Sequence, residues 1–340
     1  SRRLTAVSRI RFETEANINF RNMLYRGRSI RSYSMNIEVN RINQSVENNT
    51  NGFISAVNEE YFYHITKIAE EIVENKDEKP VILLAGPSGS GKTTTALMIA
   101  EILGNIGCPT HTLSMDNYFK SLTKEERELS AFGKVDLESP NRIDTELLNR
   151  QIEDIEEFRA VDVPKYDFAS SERRGIKLNL QRKAGELVIF EGIHALNPDV
   201  ITVPDSRICK LYVSVRTRIT CGDIILHPSK IRLMRRMIRD RNFRKRSLRE
   251  TMNMFRSVEE GENKYIMPYK YRSDYDIDTF MAYEMNVYRE SLMNDLHEMA
   301  DISELADVTE VMENLLPVSI ENVPRNSLIR EFLGKGEFKY

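Results

Sequence analysis

The sequence predicts an α/β protein in which helices flank a doubly wound parallel sheet. Short apolar runs of strand length alternate with segments of helical spacing, and the first of these runs, 81–85, is apolar at every position. A strand that is apolar on both faces needs cover on both faces, as in a parallel sheet between two layers of helices. With 340 residues, 41% of them hydrophobic and 30% charged, the chain is long enough to bury such a core.

The other elements follow in the same alternation. The further segments with the length and apolar character of strands are 110–115, 187–190 and 211–215. The segments with helical spacing of apolar residues are 58–75, 96–103, 230–256, 282–299 and 302–315. Strands that alternate with helical segments in this way are typical of a doubly wound sheet.

The first 54 residues differ in composition from the rest of the chain. Residues 1–32 hold eight arginines and no lysine, and residues 36–52 are polar, with three asparagines close to Gly52. The basic segment fits an organelle transit peptide, a basic arm or the edge of a longer parent chain, and a first residue other than methionine favours a processed or partial chain. The expected organisation is a basic arm and polar linker over 1–54, a globular domain over 55–320, and a C-terminal tail packed on that domain over 321–340.

Composition argues against several classes of protein. No stretch approaches the ~18 consecutive apolar residues of a transmembrane helix, so no membrane partner is expected. The 49 basic and 52 acidic residues give a net charge of -3, and a nucleic acid is therefore not expected as a partner. Three cysteines without C-x-x-C spacing are typical of reduced thiols in a cytoplasmic protein, and the five scattered histidines do not indicate a metal cluster.

A phosphate-binding loop is the clearest chemical signal. Residues 86–93, the phosphate loop, match G-x-x-x-x-G-K-[ST] between a predicted strand and a predicted helix. Glycines let successive backbone N–H groups point at phosphate oxygens, and the helix that follows presents its positive end to the same anion. In such a loop Lys92 reaches the β- and γ-phosphates, and the Thr93 hydroxyl binds Mg²⁺. The loop residues predicted to bind ATP are Gly86, Ser88, Gly89, Ser90, Gly91, Lys92, Thr93 and Thr94.

Two acidic residues lie at the carboxyl ends of predicted strands, where doubly wound sheets bind their ligands. Asp116 follows the second strand, and an aspartate there accepts the proton of an attacking hydroxyl or holds Mg²⁺ through water. Glu191 ends the strand at 187–190 and fits an acid on the metal side of the site. From position alone, two structural alternatives stay open: Asp116 as a loop-capping aspartate, and Glu191 as an acid at a helix N-terminus.

A basic run covers residues 230–249, with ten lysines or arginines and Asp240 as its acid. Four arginines share one helical face, namely Arg232, Arg235, Arg236 and Arg239. Because stacked like charges repel, a purely structural purpose is costly. The run fits a clamp on ATP phosphates, a surface for a nucleic-acid backbone, or a solvated face. The phosphate loop in the same domain favours the clamp, with Arg239 among the ATP-binding residues.

Five motifs together resemble the uridine kinase group of P-loop kinases, which is related to phosphoribulokinase and pantothenate kinase. The motifs are GPSGSGKTT (86–94), SMDNYF (114–119), VPKYDF (163–168), FEGIHALNP (190–198) and RLMRRMIRDRNFRKRS (232–247). The segments 257–269 and 323–332 are similar to C-terminal signatures of a longer bacterial branch of this group. The resemblance implies a P-loop NTP hydrolase fold, ATP and Mg²⁺ as cofactors, and an Arg-rich helical lid at about 229–256.

The resemblance also implies roles for individual residues. The residues implied in catalysis are Asp116 as the base, Lys92 and Arg235. Those implied in acceptor binding are Asp136 at the sugar hydroxyls, Tyr166 and Phe168 at the nucleobase, and the lid arginines Arg232, Arg244 and Arg246. Those implied in metal binding are Thr93 and Glu191.

The predicted function is transfer of the ATP γ-phosphate to the 5′-hydroxyl of a nucleoside, uridine or cytidine, as in pyrimidine salvage. The donor motifs match the family pattern, whereas the acceptor side departs from it. The histidine that short uridine kinases carry after the Y-D-F motif is replaced near Ser171, and Lys245 replaces the glycine of an R-G-R segment. Two alternatives stay open: a P-loop kinase for another small hydroxyl acceptor such as a sugar phosphate, and a nucleotide-gated RNA-binding or regulatory protein. Assembly into a homo-oligomer is compatible with each of them.

Overall fold

The computed structural model describes residues 35–131 and 135–339, and the predicted basic arm at 1–32 lies outside them. The strands are β1 Asn36–Glu38, β2 Val81–Ala85, β3 Thr110–Ser114, β4 Val161–Asp167, β5 Glu172–Leu180, β6 Leu187–Glu191, β7 Ile208–Ser214, β8 Arg218–Cys221, β9 Ile224–Leu226 and β10 Tyr275–Asp278. The α-helices are α1 Val39–Glu74, α2 Lys92–Asn105, α3 Lys124–Ala131, α4 Thr145–Glu156, α5 Pro228–Arg244, α6 Leu248–Tyr265, α7 Glu284–Glu298, α8 Ala306–Asn314 and α9 Arg330–Leu333. Among the described residues, no helix is both long and apolar enough to cross a membrane.

Five strands form the central sheet in the order β3-β6-β2-β7-β10, and every neighbouring pair is parallel. All four strands predicted from apolar runs belong to this sheet. The fifth, β10, has the mixed sequence Tyr-Asp-Ile-Asp and gave no apolar run. The structure therefore confirms the predicted α/β fold with a parallel sheet between helices.

Alternate residues of β2 face two different hydrophobic cores. Ile82 and Leu84 belong to a core formed with α1, α2, α5, α7 and α8. Val81 and Leu83 belong to a second core on the opposite face, formed with α4 and strands β4 and β5. Because both faces are covered, every residue of β2 is buried, as its uninterrupted apolar sequence predicts.

Two smaller sheets lie beside the central one. Strands β4 and β5 form an antiparallel hairpin, and β1, β8 and β9 form a three-stranded sheet. Strand β4 packs against the turn at 115–118, where the Asn117 side chain accepts a hydrogen bond from the Tyr166 N–H at 3.3 Å. The hairpin thus forms a wall beside the end of β3.

Helix α1 corrects the predicted linker. The composition predicts a polar linker up to residue 54, but the structure has strand β1 followed by a helix that begins at Val39. Ile42 and Phe53 are buried along this helix, so apolar residues at helical spacing persist among the asparagines. The polar cluster marks a kink at Asn49, where the backbone leaves the helical region.

The helical pattern predicted at 230–256 is divided between α5 and α6. Lys245 has a φ of 53°, in the left-handed region, and ends α5. Ser247 then begins α6 through a capping box with Glu250, in which each side chain accepts a hydrogen bond from the other residue's backbone N–H. Apolar residues of α5 such as Met234 are fully buried in the first core, so the Arg-rich helix is packed on the domain.

The C-terminal residues also pack on the domain. Leu328, Ile329 and Phe332 are fully buried, and α9 contacts α5. The Arg330 guanidinium donates hydrogen bonds to backbone carbonyls within the same segment, including that of Ile320 at 3.0 Å. The segment is therefore fastened both to itself and to the Arg-rich helix.

Candidate active site

The carboxyl ends of the central strands bring the predicted donor residues together. Ser114, the last residue of β3, pairs with Glu191 at the end of β6. Glu191 pairs on its other side with Leu84 of β2, two positions before Gly86, the first residue of the phosphate loop. Asp116 follows the end of β3. The sheet therefore places Asp116, Glu191 and the phosphate loop along one edge, in that order.

The phosphate loop has a backbone that its glycines permit. Gly89 and Gly91 have φ values of +75° and +85°, in the left-handed region that L side chains rarely adopt. A Cβ on Gly86 would lie 2.1 Å from the Val213 carbonyl oxygen, so the loop lies directly against β7. Gly91 is the N-cap of α2, which opens the positive end of that helix into the loop. Ser90 is fully buried within it.

Lys92 lies in the first turn of α2, between the loop and the two acids. Its ammonium donates a hydrogen bond to the Pro87 carbonyl at 3.1 Å. Burial lowers the pKa of Lys92, and the negative charges of Glu191 and Asp116 act in the opposite direction. Lys92 therefore supplies the cation that the loop and the carboxylates share, as expected of a lysine that binds terminal phosphates.

Asp116 and Glu191 form an acidic pair at the strand ends. Burial raises the pKa of Glu191 to about 7, and the negative charge of Asp116 adds to this rise. Burial likewise raises the pKa of Asp116, against the lowering effect of Lys92. Two carboxylates that repel each other in a desolvated site are stabilised by a cation placed between them.

The residues around this pair fit a magnesium ion. Carboxylate and hydroxyl oxygens are donors that Mg²⁺ takes; Glu191 at the end of β6 carries the one and Thr93 in the first turn of α2 the other. In the part of the chain that the structure describes, no cluster of three or more His, Cys, Asp or Glu residues forms a metal cage.

Two of the predicted arginines, Arg232 and Arg235, donate hydrogen bonds to backbone carbonyls of the phosphate loop. Arg235 is 0% exposed, and its guanidinium bonds both carboxylate oxygens of Glu284 at 2.7 and 2.9 Å. Arg232 donates to Glu262 at 2.6 Å. Both also donate to backbone carbonyls of the loop, at 3.2 and 3.0 Å. The resemblance implies catalysis for Arg235 and acceptor binding for Arg232, whereas the structure commits both side chains to the loop and to a carboxylate.

Arg236 is a site residue that the implied roles omit. Its guanidinium donates to the Ser88 hydroxyl in the phosphate loop and lies 6.0 Å from the centre of the Phe255 ring. Burial lowers its pKa to about 10, and the positive charge of Arg239 adds to this effect. The signal was present in the sequence, because Arg236 shares the helical face of the other three arginines.

A buried carboxylate gathers three further arginines beside the loop. Asp240 is 0% exposed and lies 3.2 Å from Arg239, 3.3 Å from Arg244 and 3.6 Å from Arg246. One negative charge does not neutralise three positive ones. The excess of positive charge next to the loop suits a polyanion, and the Asp116 charge is also close enough to Arg244 to affect its pKa.

Aromatic side chains line a wall formed by the hairpin and by the turn that follows β3. Phe119, Tyr166 and Phe168 contact one another edge to face, with ring centres 5.1 to 6.4 Å apart. The Arg142 guanidinium lies 4.8 Å from the centre of the Phe119 ring and donates to the Tyr166 hydroxyl at 2.9 Å. Tyr166 is buried, but Phe168 is 64% exposed. The group therefore offers a free aromatic face and a cation to a planar, polar ligand.

The two acidic residues of the segment 136–138 have different surroundings. Asp136, implied at the sugar hydroxyls, is exposed and accepts a hydrogen bond from the Tyr265 hydroxyl at 2.6 Å. Burial raises the pKa of Glu138, against the charges of Arg236 and Lys92, so Glu138 interacts with the charges of the donor side. His194 fixes this segment, because its Nε2 contacts the Glu138 carbonyl at 2.8 Å.

The chain is similar to a known family and to several known proteins. The Phosphoribulokinase / Uridine kinase family matches residues 81–285. The uridine kinases of Staphylococcus aureus strains JH9 and Newman are each 32% identical over 199 residues, which cover 57% of this chain and 84% of theirs. Among solved structures, YFH7 from Saccharomyces cerevisiae has a TM-score of 0.46 and 12% identity and covers 63% of this chain and 98% of its own. D-glycerate 3-kinase from Cryptococcus neoformans has a TM-score of 0.40 and 14% identity, with 67% and 88% covered.

Proposed function

The chain belongs to the phosphoribulokinase and uridine kinase family, which confirms the resemblance of its five motifs, and from that premise we propose that it transfers the γ-phosphate of ATP to the 5′-hydroxyl of a pyrimidine nucleoside. The observation that carries the proposal is the convergence of Lys92, Asp116 and Glu191 at one sheet edge, between an anion-binding loop and an aromatic wall. Donor, base and acceptor surfaces are thus adjacent.

On the donor side, the phosphates of ATP bind the N–H groups of the phosphate loop and the positive end of α2. The Lys92 ammonium exchanges the Pro87 carbonyl for a phosphate oxygen. Arg236, bonded to the loop through Ser88, and the arginines around Asp240 stabilise the negative charge of the transferring group. Arg235 acts as a positioning residue, since it holds the loop and has no exposed surface.

Thr93 and Glu191 would hold Mg²⁺, which when bound neutralises charge on the terminal phosphates. The raised pKa of Glu191 reflects burial and the repulsion by Asp116, and both are relieved by a nearby cation. The chain's own contribution here is the Glu191 carboxylate at the end of β6 and the Thr93 hydroxyl in the first turn of α2.

On the acceptor side, Asp116 orients the 5′-hydroxyl and takes its proton. As the 5′-oxygen forms a bond to the γ-phosphorus, the bond from that phosphorus to the bridging oxygen breaks, and ADP leaves with the electron pair. The pyrimidine ring of the nucleoside stacks against the exposed face of Phe168, while the Arg142 guanidinium reaches the polar edge of that pyrimidine ring. The nearby Lys92 charge favours the ionised form of Asp116 that this step needs.

The test is transfer of labelled phosphate from Mg²⁺-ATP to uridine, cytidine, purine nucleosides and a set of sugar phosphates. We expect transfer to a pyrimidine nucleoside, and a loss of about a thousandfold or more in kcat for Asp116→Asn, because a positioned base contributes about 10²–10⁴-fold and the amide cannot accept the proton. Asp116→Asn should still bind ATP, and this result would show that the substitution removes the catalytic base without damaging the ATP site.

Other outcomes of the same panel discriminate between the alternatives. Transfer to a sugar phosphate alone would assign the fold to another hydroxyl acceptor and contradict a role of the aromatic wall in base recognition. ATP binding without transfer to any compound of the panel would contradict the acceptor assignment. In that case, affinity for RNA that falls steeply with salt would favour the regulatory alternative.

A further inference from the structure

The C-terminal segment 327–333 lies beyond the part of the chain that the family matches, yet it contacts the nucleotide site. Leu328 packs on the phosphate loop, since a Cβ on Gly91 would lie 2.9 Å from Leu328 Cδ2. Phe332 lies on the other side of the segment, with its ring centre 5.3 Å from the guanidinium carbon of Arg235. Apolar contacts therefore fix this segment against two elements that shape the donor site.

Glu331, in the middle of this segment, places a carboxylate on the first turn of α2. Its Oε2 accepts hydrogen bonds from the Thr94 hydroxyl at 2.6 Å and from the Thr94 backbone N–H at 3.3 Å. Within the described parts of the chain, no lysine or arginine lies at ion-pair distance from this carboxylate. The positive end of α2 therefore stabilises Glu331 as it would stabilise a bound anion.

A bound triphosphate needs the same region of the helix. The N–H groups at the start of the helix that follows such a loop bind phosphate oxygens, and the Thr94 N–H is one of them. The negative charge of Glu331 also affects the pKa of Lys92 and of Glu191, so it acts inside the donor site. A carboxylate at this place both occupies a phosphate donor and repels the incoming polyanion.

We propose that Glu331 is an internal competitor of the nucleotide phosphates, so that the C-terminal segment 327–333 lowers the affinity of the donor site for ATP. When the phosphates bind, the Glu331 carboxylate gives up the Thr94 N–H. The proposal rests on the donor half of the proposed function and requires nothing of the acceptor. It gives a segment outside the residues that the family model matches a direct effect on the strength of ATP binding.

Calorimetric titration of the full chain tests this proposal with three probes: Mg²⁺-ATP, tripolyphosphate and adenosine. We expect Glu331→Gln to bind ATP and tripolyphosphate about tenfold more tightly than the wild type, because one like charge at a helix end is removed. Adenosine should bind equally to both proteins. The matched control is Glu337→Gln, which removes the same charge from an exposed position nearby and should leave all three affinities unchanged.

Unchanged or weaker binding of tripolyphosphate by Glu331→Gln would overturn the proposal, and weaker binding of adenosine would show instead that Glu331 accepts a hydrogen bond from the ribose. Hydrogen exchange of the wild type provides a test that needs no variant. Tripolyphosphate should speed exchange of the amides at 330–334, and unchanged or slower exchange there would contradict release of Glu331. Absence of all ATP binding would overturn this proposal and the donor half of the function together, whereas ATP binding without transfer to a nucleoside would overturn the acceptor assignment alone.

Discussion

The proposed donor and acceptor sides of the site are held by different kinds of contact. On the donor side, the phosphate loop is enclosed by β7, α5 and the C-terminal segment, and the ion pair of Arg235 with Glu284 behind it is inaccessible to solvent. On the acceptor side, Phe168 is largely exposed at the end of a two-stranded hairpin. The phosphate loop is therefore packed against several elements, whereas Phe168 is supported by the hairpin and its neighbouring aromatic side chains.

This difference teaches where the chemistry and the specificity lie. Phosphate recognition depends on backbone N–H groups and charges whose positions tolerate little change, and such groups need a buried support. In the proposed function, acceptor recognition depends on a few side chains at a surface hairpin, which can change without disturbing the sheet. Substitutions on the donor side should therefore affect stability and every substrate, and substitutions on the acceptor side should affect the KM for the acceptor.

The largest expected effect comes from breaking the donor side at Arg235→Met. Removal of one partner of a buried ion pair leaves Glu284 as an uncompensated charge, so the free energy of unfolding should fall by about 3–5 kcal/mol. ATP affinity should fall as well, because a carbonyl of the phosphate loop loses its donor. Urea unfolding and ATP titration measure the two effects.

The matched control lies on the same helix, at the exposed pair of Arg241 and Asp295, where the side chains are 37% and 40% exposed. Arg241→Met should change the free energy of unfolding by about 0–1 kcal/mol and leave ATP affinity unchanged. Equal losses for Arg235→Met and Arg241→Met would contradict the view that the donor side depends on its buried support.

The second prediction concerns Arg236, whose substitution should affect catalysis but not stability. Arg236→Met should lower kcat by about a hundredfold or more for every acceptor, since it removes a charge-stabilising donor beside the loop. Its effect on stability should be small, because no ion pair with a carboxylate is recorded for Arg236 in the described residues. Steady-state kinetics and urea unfolding measure this split, and a loss of stability as large as that of Arg235→Met would make Arg236 a structural residue.

His194 is a deeply buried anchor on the proposed acceptor side. Burial lowers its pKa to about 4 from an ordinary value of 6.5. Between these values the unfolded chain binds a proton that the folded protein excludes, so the stabilisation is complete above pH 6.5 and is lost as pH falls towards 4. Because of this residue, we expect the free energy of unfolding to fall by about 2 kcal/mol between pH 7.5 and pH 5.

His194→Gln keeps a donor for the Glu138 carbonyl but does not titrate. Urea unfolding of both proteins at the two pH values isolates the histidine, since all other groups are common to them. The same pH dependence in wild type and variant would show that His194 is not the anchor whose protonation destabilises this segment.

The sequence was sufficient where a local pattern carries the structure. The apolar run at 81–85 predicts a buried strand, and the phosphate loop between strand and helix predicts an anion site, because both depend on neighbouring residues. The helix at 39–54 was missed, since its asparagines suggest a linker although Ile42 and Phe53 remain at core positions. Partners distant in sequence, such as Glu284 for Arg235 and Glu331 for Thr94, follow from tertiary packing and leave no local signal.

The smallest expected effect, and the most specific, concerns the acceptor wall. Phe168→Ala removes the exposed ring against which a base would stack, so the KM for the nucleoside should rise about tenfold, in line with about 1–3 kcal/mol per stacked base. The KM for ATP and the free energy of unfolding should stay as they are, because the ring is largely solvent exposed. Ile176→Ala, on the same hairpin and 54% exposed, is the matched control and should change none of these. A rise in the KM for ATP with Phe168→Ala would show that the two sides of the site are coupled, and an unchanged KM for the nucleoside would remove the aromatic wall from base recognition.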